Sequence, residues 1–318
     1  MRARRVIGID SGGTKFLGGV VDEELHVHHR VARMIGGLGA DELLDVMAEA
    51  VLEAREVAPD ADAVGFGIPS VVDQRRGSSV SSRHLPLGGV AFRELMTERI
   101  GLPVYVDNDA NLAILAEHRF GAARFASHVV LLTLGTGIGS GLVLDGKVYR
   151  GAIGGAAEIG HMTVDLDGPK CPGNCPNRGC LEALVSGAAI GHAGRAAALE
   201  RPRSALGRVH AQGREITGQV VTDLARDGDE TAVEILDGAG RMLGVGIVNV
   251  VNIFNPEVVI VGGGAIAAGE LLLQPAREVV LERALDPNRE MVRIVPAHFG
   301  HEAGMLGGAV LALSGGRA

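Results

Sequence analysis

One stretch restricts this chain more than any other. It runs from Glu158 to Glu182, E-I-G-H-M-T-V-D-L-D-G-P-K-C-P-G-N-C-P-N-R-G-C-L-E, and holds every cysteine of the protein: Cys171, Cys175 and Cys180. His161 lies inside it, and Glu158 and Glu182 flank it. Three thiolates and an imidazole form a Cys3His set, the donor chemistry of a tetrahedral zinc site. The Pro and Gly residues around the cysteines oppose a helix and favour tight turns that aim side chains inward. The competing reading is three unrelated core cysteines, because a free cysteine often behaves as a small buried hydrophobe. A disulfide is opposed by the odd number of cysteines and by the lack of any sign of export. Four protein ligands leave no open coordination position, so the zinc is expected to be structural. The chemistry is then expected on the carboxylates beside it.

The length of 318 residues allows one large domain or two of ordinary size. The core must be aliphatic, because the chain has no Trp, two Tyr and seven Phe. Glycine contributes 48 residues, about twice its usual share, which implies many tight turns and close backbone approaches to ligands. A net charge of −8 argues against a nucleic-acid partner, whose binding rests on Lys and Arg contacts to phosphate. The basic start (Arg2, Arg4, Arg5) is short, runs directly into a strand and reads as a solvated leader. No signal-like apolar segment and no membrane-length apolar run is present, so a cytoplasmic protein without a membrane partner is expected.

Taken in order, Val6–Ile9, Phe16–Val21 and Leu25–Val31 read as an antiparallel meander whose first turn is D-S-G-G-T-K, Asp10 to Lys15. Gly12 and Gly13 let backbone N–H groups face an anion and Thr14 adds a hydroxyl, although a plain glycine hairpin fits as well. Asp41–Val57 carries apolar residues at helical spacing, Ala63–Ile68 reads as a buried strand ending at Gly67, and Phe92–Ile100 as a helix. Val104–Val106 is a strand that ends in D-N-D-A-N, Asp107 to Asn111, with a helix from Ala110 to about Phe120. Asp109 thus sits where a strand hands over to a helix, at the carboxyl end where open α/β sheets bind ligands. Asp107 and Asp109 as mere helix caps is the alternative.

Val129–Leu134 is followed by G-T-G-I-G-S-G, Gly135 to Gly141, then Leu142–Leu144, an Asp145-Gly146 hairpin turn and Lys147–Tyr149. The glycine spacing does not fit a dinucleotide fingerprint, and no helix follows directly. A second glycine turn between antiparallel strands echoes the first, which implies two similar halves, duplicated lobes around a cleft. Helices are expected over Leu181–Leu199, Thr217–Arg226 and Thr231–Ile253. Val258–Val261 leads to Gly262-Gly263-Gly264. Gly262, Gly264 and Ala267 fit G-x-G-x-x-A, but the strand expected over Met291–Val295 does not end in the acidic residue a dinucleotide site wants. A nucleotide base packed on these glycines is the preferred reading. Ala303–Ser314 is a small-residue helix able to pack closely on a sheet.

Together D-S-G-G-T-K, V-D-N-D-A-N, L-G-T-G-I-G-S-G, E-I-G-H, the cysteine cluster with G-C-L-E, and V-V-I-V-G-G-G resemble the ROK family of sugar kinases and repressors, in order from residue 6 to about 310. E-I-G-H-M-T-V looks most like the bacterial glucokinases of that family. The resemblance implies an α/β fold of the two-lobe actin-like ATPase (ribonuclease-H-like) type, with a central cleft and a structural zinc loop. It implies ATP-dependent phosphorylation of glucose at O6, with Asp109 as general base and Asn108 as a sugar contact. Glu158, His161 and Glu182 would bind sugar hydroxyls, and Gly67 joins this substrate-binding set. Asp10, Gly12, Gly13, Thr14, Thr136 and Gly137 would surround the ATP phosphates and Mg²⁺, with Lys15, Gly262 and Gly263 completing the nucleotide-binding set. His161, Cys171, Cys175 and Cys180 would hold Zn²⁺, and His161 would turn its second ring nitrogen to the sugar. A homodimer or homotetramer is expected, as is a small lobe of residues 1–109 and 300–318 beside a large lobe of residues 110–299.

Two departures from the family pattern bear on function. The usual C-x-C-x4-C is here Cys171-x3-Cys175-x4-Cys180, two residues wider at its first step. His84-Leu85 stands where Asn-Leu is common, which bears on sugar identity. The alternatives are a kinase for N-acetylglucosamine, N-acetylmannosamine, fructose or mannose, a kinase using polyphosphate, or a sugar-sensing regulator. The repressors of the family carry an N-terminal helix-turn-helix, for which a first strand expected from about residue 5 leaves no room.

Overall fold

Three strands, β1 (Arg5–Ser11), β2 (Lys15–Asp22) and β3 (Val27–Met34), form the expected antiparallel meander in a computed structural model that describes residues 3–172 and 175–317. Arg2 of the basic start, and part of the widened Cys171–Cys175 step, lie outside the described residues. β1 also pairs in parallel with β4 (Ala61–Ile68), and β4 with β7 (Val104–Asn108), giving the order β3-β2-β1-β4-β7. β1 and β4 are almost wholly buried, and their near-continuous apolar sequences reflect cover on both faces. α1 (Ala40–Val57) turns Leu43, Leu44, Met47 and Val51 into this core, and Phe92 of α2 (Phe92–Ile100) meets Phe66 edge to face at 5.2 Å. A short hairpin of β5 (Ser70–Asp73) and β6 (Ser78–Ser82) follows β4. Its serine-rich strands carry too little apolar alternation to be read from sequence.

The second five-stranded sheet repeats the scheme. β8 (Val129–Leu134), β9 (Ile138–Leu144), β10 (Lys147–Val148), β11 (Val258–Gly262) and β12 (Arg293–Pro296) lie in the order β10-β9-β8-β11-β12. In both sheets the order by rank is third, second, first, fourth, fifth, so the duplication inferred from the two glycine turns is present in the topology. β9 begins at Ile138, inside the glycine run, so the turn itself is only Gly135–Gly137. The single helix expected over Leu181–Leu199 is two, α4 (Leu181–Val185) and α5 (Gly187–Glu200). Ser186 interrupts them with extended backbone, and its hydroxyl caps α5 by accepting from Ala189 N–H at 3.2 Å. α6 (Ala205–Ala211), α7 (Gly218–Arg226), the 25-residue α8 (Glu230–Phe254), α9 (Glu270–Arg283) and the short α10 (Asn288–Met291) complete this part.

Two compact units result: residues through Phe125, Gly141–Ala157 and everything from His298 onward in one, Ala126–Ser140 with Glu158–Ala297 in the other. The division differs from a break after Asp109, because α3 (Asp109–Phe120) packs on α11 (Ala303–Leu313). That contact depends on small residues: a Cβ on Gly307 would run into the Leu112 carbonyl, and one on Gly65 of β4 into the Gly308 carbonyl. α11 therefore lies against both helix and sheet at backbone distance, as its composition implied. Among the described residues no helix is long and apolar enough to cross a membrane.

Candidate active site and metal centre

The parallel strands β1, β4 and β7 end side by side, with Asp10 in register with Gly67 and Gly67 with Asp107. One more residue along the third strand is Asn108, which caps α3: its Oδ1 accepts from Ala110 N–H at 2.9 Å and Asn111 N–H at 3.2 Å, and its Nδ2 donates to the Ser70 carbonyl at 3.3 Å. The cap is thus Asn108, not either aspartate. Asp107 is spent differently. Its side chain is 1% exposed and its Oδ2 accepts from Arg150 Nε at 2.8 Å and Gln74 Nε2 at 3.0 Å, with Arg150 Nη2 in ion-pair contact at 2.7 Å. Its Oδ1 receives Asn108 N–H at 2.8 Å and Asn111 Nδ2 at 3.1 Å. A carboxylate so occupied holds the strand end and has no oxygen open to a reactant.

That leaves Asp109, in the first turn of α3, where a helix N-terminus favours negative charge. Burial pushes its carboxyl up to about 6, partly countered by the Ala110 N–H and the nearby His84. Asp10 is pushed further, to about 7, by burial and then by the charge of Asp109. Burial raises both carboxyls, and perturbed carboxyls side by side make this strand end the candidate site. Glycines make the pairing possible. A Cβ on Gly67 would lie 3.3 Å from Asp10 Oδ1 and 3.5 Å from Asp109 Cα, and one on Gly304, in the first turn of α11, 2.5 Å from Asp10 Oδ2. The first glycine turn leaves directly from Asp10: Gly12 N–H donates to the Lys15 carbonyl at 2.9 Å, and Gly12, Gly13, Thr14 and Lys15 are all exposed. A Cβ on Gly13 would stand 3.3 Å from His84 Cβ, which puts the residue that departs from the family pattern beside this turn.

In the second unit the four expected metal ligands converge. One donor atom from each of His161, Cys171, Cys175 and Cys180 lies within 4.8 Å of every other. Zinc–sulfur bonds of about 2.3 Å and a zinc–nitrogen bond of about 2.0–2.1 Å at tetrahedral angles require donors about 3.8 Å apart (S to S) and about 3.6 Å apart (S to N). Cys175 Sγ and Cys180 Sγ are 3.8 Å apart, and Cys171 Sγ and His161 Nδ1 are 3.5 Å apart. A disulfide needs about 2.05 Å, so no disulfide joins these cysteines. Burial, reinforced by Cys175 and Cys171, pushes the Cys180 thiol up to about 12. Sulfurs packed this tightly ionise together only around a cation, and the set fits zinc. The wider step from Cys171 to Cys175 does not keep either sulfur from the cluster.

Backbone pairing shapes this loop: Cys171 N–H donates to the Asn177 carbonyl, Val164 N–H to Gly179, and Leu181 N–H to Met162. The second ring nitrogen of His161, Nε2, is 3.9 Å from Glu158 Oε2, and Glu158 itself is largely exposed. Glu182, by contrast, is 8% exposed, and its Oε2 accepts from Ile138 N–H at 2.8 Å, at the foot of the second glycine turn. Thr136 is the exposed tip of that turn, and Gly137 faces the Glu182 carboxylate. At the end of β11, Gly263 has a φ of +80° and its Cβ position is filled by the Leu134 backbone; Gly262 faces Ala297. A 3-10 turn, Gly264–Ala268, follows instead of the immediate helix of a dinucleotide fingerprint.

Sequence reasoning did not single out Arg150, Gln74 or Ser140. Arg150 and Gln74 reach Asp107 across 43 and 33 residues, and Ser140 Oγ accepts from Ile159 N–H at 3.1 Å across 19. No local pattern announces such partners.

The ROK family model matches residues 6–314. The glucokinase of Thermotoga maritima is 36% identical, over 96% of this chain and 96% of its own. The xylose repressor of Caldicellulosiruptor bescii is 30% identical, over 97% of this chain and 78% of its own. A solved ROK family glucokinase from Streptomyces griseus, in complex with glucose and AMPPNP, matches with a TM-score of 0.86 at 34% identity, covering 98% of this chain and 99% of that one. The α/β, actin-like ATPase fold expected from the motifs is therefore the fold of the chain. With its motifs, its topology and nearly its whole length in agreement, the chain belongs to the ROK family.

Proposed function

We propose that this protein transfers the γ-phosphoryl group of ATP to the 6-hydroxyl of glucose, with Asp109 as general base. The observation that carries the reading is the state of Asp109: a carboxyl raised to about 6 at the end of a parallel strand, relieved of capping by Asn108 and of ion pairing by Asp107. A base in that range is mostly ionised at neutral pH yet basic enough to take the hydroxyl proton as attack proceeds. Phosphoryl transfer asks the protein mainly for positioning and charge neutralisation. In this reading Asp10, Gly12, Gly13, Thr14 and Lys15 serve the phosphates and Mg²⁺, and Mg²⁺ supplies charge neutralisation on the phosphate oxygens. Thr136 and Gly137 serve the phosphates too, and Gly262 and Gly263 the base. Gly67, Asn108, Glu158, His161 and Glu182 serve the sugar. Zinc on His161, Cys171, Cys175 and Cys180 supplies order to the loop and orients the imidazole. Support comes also from the glucokinases of Thermotoga maritima and Streptomyces griseus, the latter in complex with glucose and AMPPNP. We read the protein as cytoplasmic, where thiols stay reduced, and as a homodimer or homotetramer.

The xylose repressor relative keeps a second reading, a sugar-sensing regulator, in view. One experiment separates the two. Turnover is measured by a coupled assay with ATP, and in parallel with polyphosphate, over glucose, mannose, fructose, N-acetylglucosamine and N-acetylmannosamine. The proposal expects glucose with ATP to give the highest kcat/KM. A site built to hydrogen-bond a hydroxyl rejects an analogue lacking it by as much as about 10⁴–10⁵-fold. An N-acetylated sugar at the head of the ranking overturns the glucose assignment, and sugar binding without turnover favours the regulator.

A further inference from the structure

Glu182 stands between the metal ligands and the second glycine turn. It follows Cys180 by two residues, in the first turn of α4. Its Oε1 is 3.9 Å from Cys171 Sγ, and its Oε2 accepts from Ile138 N–H at 2.8 Å. A Cβ on Gly137 would sit 2.5 Å from that same Oε2, so the carboxylate fills the space a side chain would take. Two further contacts join the same elements. A Cβ on Gly160 would stand 2.6 Å from the Ile138 carbonyl, and Ile159 N–H donates to Ser140 Oγ at 3.1 Å. Ile159 and Gly160 immediately precede His161. The turn is closed on itself by Gly135 N–H to the Gly137 carbonyl at 2.9 Å, and it is held from α5 by Gly187 N–H to the Gly135 carbonyl at 2.8 Å. The turn and the metal loop are thus one packed assembly, and a single buried carboxylate touches both.

We propose that Glu182 is a positioning residue that couples the zinc loop to the second glycine turn, so that zinc occupancy sets the affinity for nucleotide even when no sugar is bound. The inference rests on the reading of that turn as a phosphate cradle. A loop that loses its metal loses the anchor of Cys171, 3.9 Å from the Glu182 carboxylate, and of Cys180, two residues before it. The carboxylate then no longer holds Ile138 N–H in place, and the turn loses the shape that would receive an anion. A carboxylate accepting one N–H retains lone pairs for a sugar hydroxyl, so this role is additional to sugar binding.

The test uses full-length protein and AMPPNP with Mg²⁺, titrated calorimetrically without sugar. Zinc-loaded protein is compared with protein stripped by a chelator under reducing conditions, and with Glu182→Gln and Glu182→Ala. Amide hydrogen exchange at Gly135–Ile138 is followed in each sample, and zinc is quantified by elemental analysis. A hydrogen bond to a charged acceptor is strong enough that its loss should weaken AMPPNP by about tenfold or more, both on stripping and in Glu182→Ala. Glu182→Gln keeps an acceptor oxygen and should stay within about threefold of the parent. Exchange at Ile138 should accelerate wherever affinity falls. Unchanged exchange and affinity after stripping overturn the coupling, and this arm needs no variant to fold. If zinc-loaded protein binds no AMPPNP at all, the phosphate-cradle reading fails, while the exchange data still decide whether metal and turn are coupled.

Discussion

Replacing Arg150 by Met tests whether the Asp107 cluster holds the catalytic strand end. Met keeps much of the aliphatic stem and removes the guanidinium. Asp107, 1% exposed, then loses contacts of 2.7 and 2.8 Å and keeps the Gln74, Asn111 and Asn108 donors. Removing one partner of a buried ion pair typically costs about 3–5 kcal/mol, because a charge is left buried without compensation. Three surviving hydrogen bonds, and the 16% exposure of Arg150 that lets water approach, place this case at the lower end, about 3 kcal/mol. At about 2–4 °C per kcal/mol, melting of the first unit should fall by about 6–12 °C. Scanning calorimetry reads this directly. Because Asn108 and Asp109 follow Asp107 without a break, kcat should fall more than KM rises. The double variant Arg150→Met, Asp107→Asn should recover part of the lost stability, since no unpaired charge stays buried. Melting within about 1 °C of the parent, together with unchanged kcat, would refute the view that this pair fixes the strand end.

Asp109→Asn should retain glucose binding and lose about 10²–10⁴-fold in kcat; near-parental turnover would move the base elsewhere, and not to Asp107, whose oxygens are already taken. With Asp109 raised to about 6, kcat/KM should fall about tenfold per pH unit below that value, a limb that Asp109→Asn should lack. Asp10, at about 7 in the fold and 3.8 as its ordinary value, binds its proton more tightly when folded. Its contribution to stability is therefore fully present below 3.8 and lost as pH rises through about 7. Melting of ligand-free protein between about pH 5 and about pH 8 should accordingly decline more steeply for the parent than for Asp10→Asn, and equal slopes would contradict the assignment. Elemental analysis should find one zinc per chain, and Cys175→Ser should lose it; metal-free purified protein would remove the Cys3His reading.

Much of the frame was legible because its signals are local. Each meander announces itself by apolar runs broken at glycine turns, and the strand–helix handover at Asn108 is marked by a polar cluster between a β-branched run and an amphipathic one. The β5–β6 hairpin escaped because serine strands carry little burial pattern. α9 carries Pro275 in its interior, a residue that opposes helix, so local propensity does not announce this helix. The assignment of α3 to a unit rests on tertiary packing instead. A helix belongs to whatever it packs on, and Gly307 against the Leu112 carbonyl is a contact between residues almost two hundred positions apart.

The same distinction separates the two halves of the chemistry. The metal centre was readable because thiols and imidazole have few other uses in so short a stretch, and coordination needs only that the donor atoms meet. Cys171 and Cys175 are two residues further apart than the family pattern, yet Cys175 Sγ lies 3.8 Å from Cys180 Sγ and Cys171 Sγ 3.5 Å from His161 Nδ1. Carboxylates carry no such restriction. Asp107, Asp109, Glu158 and Glu182 look alike in sequence, but one is locked by Arg150, one is raised to about 6, one is largely exposed and one accepts a backbone N–H from 44 residues away. Burial and partners, supplied by the fold, decide which of the four can hold a proton, a sugar or only a loop. Side-chain identity constrains function where the chemistry is scarce, and tertiary environment constrains it where the chemistry is common.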